Sequence, residues 1–209
     1  MTTSALENWR ECFGQHPPVG YVLLKKFRPQ WVRFHYFTDH RRTPRTAADK
    51  RSVLDCLNSI AAQVFPADTE CVAFLAMFGR YSTSGDAYVR RRLRRIAPPP
   101  TWLPEADFVK TDRPSFRSGQ VRWRPGRLDR LFLLISAGKL GPACAFSTGT
   151  GNAFCPYEGG VDLFLPSDTL RNQLKKRFEA NLPREFPGDL SVSPRTPLQE
   201  RPRGPQRIG

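Results

Sequence analysis

From Trp31 to Phe37 the chain runs WVRFHYF, with side chains alternating between two faces. Trp31, Arg33, His35 and Phe37 share one face and Val32, Phe34 and Tyr36 the other, which predicts a strand whose second face is the better core candidate. The preceding YVLLKKF, Tyr21 to Phe27, is apolar and then basic and fits a strand or a short helix equally. After a loop of Arg and Pro, Thr46 with Asp49 three positions on has the form of a capping box. Val53, Leu54, Leu57, Ile60, Ala61, Val64 and Phe65 then recur at helical spacing until Pro66 stops the helix. The run CVAFLAMF, Cys71 to Phe78, is apolar on both parities, as a central strand covered on both faces would be. Strand, helix and strand make a βαβ-like beginning, with a right-handed crossover if the two strands are parallel neighbours.

The stretch from Gly79 to Gly119 is less regular. AYVRRRLRRIAPPP suits a short helix with Val89, Leu93 and Ile96 on its buried edge, stopped by Pro98 to Pro100, while ADFVK and QVRW suit short strands. In RPGRLDRLFLLISAGK, Pro125 fits a first helical turn, Leu128, Leu131, Phe132 and Ile135 form a stripe, and Gly138 is placed to cap a helix of about 13 residues. ACAFST, AFCPY and VDLFL, separated by GTGN and EGG, predict a meander of two hairpins. Ser167 then caps a final helix carrying Leu170, Leu174, Phe178 and Leu182 on one face. From Pro183 onward six prolines and few apolar residues leave too little surface to bury, which predicts a disordered tail over 183–209. The expected fold is α+β (mixed α/β) over a single domain, 1–182: a mixed sheet with a βαβ-like N-terminal part, a C-terminal β-meander and three main helices.

The glycine pair in Glu158-Gly159-Gly160 feeds a strand, whereas a phosphate-binding loop feeds a helix N-terminus. A tight turn is therefore the expectation.

Charge changes this picture most. Thirty-three Lys and Arg against 19 Asp and Glu give a net charge of +14, and the isoelectric point is near 10.3. Such an excess suits nucleic acid or another polyanion as partner, because guanidinium groups grip phosphate and binding releases counterions; dispersed charge also simply keeps a domain soluble. The five cysteines, Cys12, Cys56, Cys71, Cys144 and Cys155, are odd in number and scattered without a C-x-x-C pair, and four lie in or beside apolar runs as buried free thiols do, which favours a reducing cytoplasm. The start lacks a basic leader with an unbroken apolar stretch, and no apolar run reaches the roughly 18 residues of a membrane span. A cytoplasmic protein is expected, with no membrane association and no implied cofactor.

Three groups of residues are candidates for chemistry. His35, Asp39 and His40 could bind a metal or move protons only if they converge, and no third spaced ligand or H-E-x-x-H pattern accompanies them, so no metal site is assigned. Cys155, Tyr157, Glu158 and Asp162 gather at the hairpin. A cysteine nucleophile would need a partnered base, while all three histidines stand in the N-terminal quarter. Asp162 is the residue to examine first, because a carboxylate inside VDLFL must reach solvent or a partner. His35 and Asp162 are the catalytic candidates. Arg90, Arg91, Arg92, Arg94 and Arg95 form the densest charge cluster and are the nucleic-acid-binding candidates, with Arg41, Arg42 and Arg45 as a supporting group. They lack the interleaved aromatics of a single-strand platform.

WVRFH, RWRPGRLDRLF and CPYEGGVDLFLPS are similar to signature segments of an uncharacterised bacterial domain-of-unknown-function family, over about Trp31 to Leu182. The resemblance implies a small mixed α and β domain and no activity. The arginines at 90–95 and the proline-rich tail are not among the shared features. The leading expectation is a non-catalytic interaction module with an unknown protein partner. A nucleic-acid-binding protein, or an enzyme with a site near His35 and the 156–162 hairpin, are the alternatives.

Overall fold

Segments with a period of two become strands, and those with a period near 3.6 become helices, in a computed structural model that describes residues 3–39, 41–77, 89, 91–103 and 115–183. The strands are β1 (Trp31–His35), β2 (Glu70–Met77), β3 (Arg94–Ile96), β4 (Ser115–Arg122), β5 (Ala143–Ser147), β6 (Ala153–Tyr157) and β7 (Gly160–Phe164). They form one seven-stranded sheet in the order β1-β7-β6-β5-β2-β4-β3. The helices are α1 (Thr3–Phe13), α2 (Gly20–Lys26), α3 (Ala47–Val64), α4 (Asp129–Ser136) and α5 (Asp168–Arg177). No helix among the described residues is long and apolar enough to cross a membrane.

The α+β class is as the pattern predicts, but the sheet is not mixed, since every strand pair among the described residues is antiparallel. β1 and β2 run the same way, yet β7, β6 and β5 lie between them, so the strand–helix–strand beginning is a wide crossover rather than a neighbouring parallel pair. The physical reason lies in the meander. Its two tight turns close at little entropic cost and set β5, β6 and β7 side by side, leaving β1 and β2 to pair at its two ends.

Local signals hold well where they are short-range. Thr46 and Asp49 form the capping box, and Val53, Leu57, Ile60, Ala61 and Val64 of α3 are buried. Ser167 caps α5 through the Leu170 N–H at 3.2 Å. α4 is shorter than the stripe implies: Gly126 has φ 81°, so 125–128 is a turn, and Asn58 fixes the helix start by bonding Gly126 N and Asp129 Oδ1. The segment 21–27, readable two ways, falls mostly in α2. The ADFVK segment and residues 184–209 lie outside the described residues, as does Arg90.

The sheet is covered on both faces. Val32, Phe34, Phe154 and Leu163 pack with Leu57, Ile60, Phe132 and Leu174 under α3, α4 and α5. On the other face Trp31, Phe74, Phe146 and Phe164 pack with Trp9, Phe13 and Leu23 of α1 and α2. Trp9 stacks on Phe13 with ring centroids 4.4 Å apart and meets Phe74 and Phe146 edge-on. The face of β1 that carries Arg33 is therefore also an interior one, which is what makes its chemistry unusual.

Candidate functional site

Two regions singled out by the sequence lie at opposite edges of the sheet. At the first edge, strand register opposes Arg33 to Asp162 and His35 to Gly160 across β1 and β7, and Cys155 to Asp162 across β6 and β7. The Asp162 side chain is 5% exposed and that of Arg33 24%. The carboxylate is fully engaged: Oδ1 accepts from Trp31 Nε1 at 2.8 Å and Arg33 Nε at 2.7 Å, and Oδ2 accepts from Arg33 Nη2 at 2.8 Å. The guanidinium carbon lies 4.9 Å from the Tyr157 ring centroid and 5.3 Å from that of Trp31, a cation–π contact on each side. Burial pulls the Arg33 pKa down, but the hydrogen bond and the charge of Asp162 more than reverse this, so the net shift is upward. Burial, reinforced by the Asp162 charge, pushes the Tyr157 phenol up.

The glycine pair is a turn. Tyr157 pairs with Gly160, leaving Glu158 and Gly159 as a two-residue loop in which Gly159 takes φ 118°. Its N–H donates to Tyr36 Oη, which donates to Tyr157 O at 2.8 Å. Gly160 serves close approach instead, since a Cβ there would sit 2.1 Å from Phe34 O on β1. The loop thus spends its N–H on Tyr36.

His35 shares a sheet face with Asp162 but stands two positions along from the ion pair, and its carbonyl accepts from Asn181 Nδ2 at 2.8 Å. Asp39 pairs with Arg41 at 2.6 Å, and Arg41 also reaches Asp49 at 3.0 Å. His40 lies outside the described residues, and among the described residues no group of three His, Cys, Asp or Glu is placed to hold a metal. Burial and the neighbouring Cys144 thiol raise the pKa of Cys155, which keeps it a protonated thiol rather than a nucleophile.

At the far edge the arginine cluster is not one helix. Leu93 N bonds Val89 O at 2.7 Å, closing one helical turn, and Arg94–Ile96 then pairs with β4 as β3. The outer edge of β4 would otherwise be left without a ladder, and this outweighs the local helical pattern. Gly119 permits the approach, because a Cβ there would sit 2.6 Å from Arg92 O. Arg91, Arg92, Arg94 and Arg95 are exposed. Arg95 stands directly opposite Arg117, whose Nη1 donates to Leu93 O at 3.2 Å. Arg122 and Arg124, at the end of β4, make exposed ion pairs with Glu70 and Asp68.

Between β4, α4 and the Val89–Leu93 turn is a cavity of about 100 Å³ with Arg92, Arg122 and Arg127 among its lining residues. A more polar one of about 420 Å³ involves Asn8, Glu70, Gln120 and Arg122. Neither is lined by His35 or Asp162. Arg41, Arg42 and Arg45 follow β1, the strand at the opposite end of the sheet from β3, with Arg42 beside the Gly159 turn and Arg41 bonded to Asp49.

A family model described as Domain of unknown function (DUF3885) matches residues 19–184. The chain belongs to the DUF3885 family. No curated protein and no solved structure matches it. The DUF3885 match runs from just before α2 to just beyond α5 and includes both regions described above, while α1 precedes it. The expectation of a domain-of-unknown-function family is thus met.

The partners of Asp162 escaped sequence reasoning. Alternation had put Trp31 and Arg33 on one face, and Asp162 stood out, but nothing local says that β1 pairs with β7. The cavity at the arginine edge had no signal, being assembled from β2, β4, α4 and the Val89–Leu93 turn.

Proposed function

We propose that this DUF3885 domain is a non-catalytic interaction module whose binding surface is the arginine-rich β3–β4 edge and whose partner is acidic. The observation that carries the reading is the placement of exposed Arg91, Arg92, Arg94 and Arg95 along this edge, with Arg92 and Arg127 lining one cavity. An acidic partner is the electrostatic complement of an edge on which basic side chains such as Arg95 and Arg117 face each other across β3 and β4. The hairpin end contributes stability instead, because both Asp162 oxygens are already bonded and Cys155 is held as a thiol.

The same edge could receive a nucleic acid backbone, but Arg41, Arg42 and Arg45 would not extend that surface from the other side of the sheet. Fluorescence anisotropy against poly-glutamate and against a DNA duplex, at low and raised salt, tests the reading. Arg92→Glu/Arg127→Glu should abolish most binding to poly-glutamate, whereas Lys175→Glu/Lys176→Glu, an equal charge change on exposed positions of α5, should leave most of it. Equal losses from the two double variants would show that net charge alone binds, and the localised surface would have to be given up.

A further inference from the structure

We infer that the cavity at the β3–β4 edge is a socket for a single aliphatic side chain, so that the acidic partner is a polypeptide presenting a leucine-like residue among carboxylates. This rests on the reading of the arginine edge as the binding surface and names what that surface recognises.

The walls are apolar: Ala73 from β2, Val121 from β4, Leu128 and Leu131 at α4, with Val89 and Leu93 opposite. Arg92, Arg127, Gln120 and Arg122 complete the lining. Alternation along β4 sends the Gln120 and Arg122 side chains to the opposite sheet face from Val121, where Arg122 pairs with Glu70, so the guanidinium groups that serve this cavity are those of Arg92 and Arg127. Arg92 and Arg127 are exposed, whereas Val89 and Leu93 are buried, so the charged groups form the rim and the apolar ones the floor. A small apolar depression with a basic rim is the complement of an apolar anchor flanked by acidic residues.

Size selects among the anchors. An apolar cavity of about 150 Å³ holds benzene, and this one measures about 100 Å³, enough for a branched aliphatic side chain and too small for a nucleobase. Its composition agrees: no aromatic side chain among the described residues lines it, whereas bases held outside a duplex are stacked on aromatic rings.

The test uses the full chain and two short fluorescein-labelled peptides of Asp and Glu, identical except for one central residue, Leu in the first and Ser in the second, with a short DNA duplex as third probe. Burying the leucine should make the first peptide bind about tenfold or more tighter than the second at the same salt. Val121→Phe, which fills the cavity from β4, should erase that difference; Leu128→Phe fills it from the α4 side should the first variant not fold. The leucine–serine comparison on the unaltered chain needs neither variant. Equal binding of the two peptides overturns the socket and leaves the basic surface standing. Binding of the duplex alone overturns the polypeptide partner, and failure of all three probes to bind refutes the proposed function itself.

Discussion

Removing the Asp162 carboxylate tests the central physical feature of the β1–β7 edge. The ion pair is buried enough that loss of one partner leaves an uncompensated charge inside the domain, a cost of about 3–5 kcal/mol. Arg33 keeps 24% of its side chain exposed, which lets water recover part of this, so Asp162→Asn should lie near about 3 kcal/mol. Asn retains an acceptor for Trp31 Nε1. Asp162→Leu does not, and the orphaned indole should add about 1 kcal/mol. With a urea dependence of roughly 2 kcal/mol per molar, the Asn variant should unfold with a midpoint about 1.5 M lower. Far-UV circular dichroism follows it without relying on Trp31. The decisive comparison is Arg33→Met/Asp162→Leu, which removes both charges and refills the space. It should be more stable than either single variant, because a buried pair exchanged for apolar groups of similar volume loses little. A midpoint shift under about 0.5 M for Asp162→Asn, or a double variant whose loss is the sum of its singles, would refute the account of a buried and mutually dependent pair.

Other consequences concern the turn, the first large helix and a buried thiol. Gly160→Ala should cost about 3 kcal/mol or more, or prevent soluble expression, since the methyl would meet Phe34 O on the paired strand; a thermal melt close to wild type would show that β1 and β7 are further apart than described. Tyr36→Phe removes the hydroxyl that accepts from Gly159 and donates to Tyr157, and should lower stability by about 1–3 kcal/mol in urea titration. The N–H groups of Thr46 and Arg45, with Arg41 behind them, hold the Asp49 carboxyl below the usual carboxylate range. Its folded-state pKa being lowered, its contribution is present above the ordinary value of about 4 and fades as pH falls. The stability gap between wild type and Asp49→Asn should therefore narrow on acidification, and a gap independent of pH would remove this explanation. Burial pushes the thiol of Cys71 up to about 12, and Cys71 is buried, so it should react with a maleimide at neutral pH only as fast as the fold opens, with rapid labelling in the native protein as the contrary result.

Short-range features were legible in the chain itself. The capping box at Thr46, the α3 stripe, the serine cap at Ser167 and the three strands of the meander all follow from spacing and turn chemistry within a dozen residues. The odd carboxylate in VDLFL and the glycine pair beside it were equally visible, because a charge in an apolar strand and two adjacent glycines are both costly without a use. What each was for depended on which strands become neighbours. Sheet order, the burial of Asp162 beneath α2, the conversion of Arg94–Ile96 from helix to edge strand, and the separation of the two arginine groups all arise from contacts between residues far apart in sequence. Periodicity records which face of an element is apolar. Which partner covers that face is decided only when the whole sheet closes its unpaired edges and fills both of its faces at once.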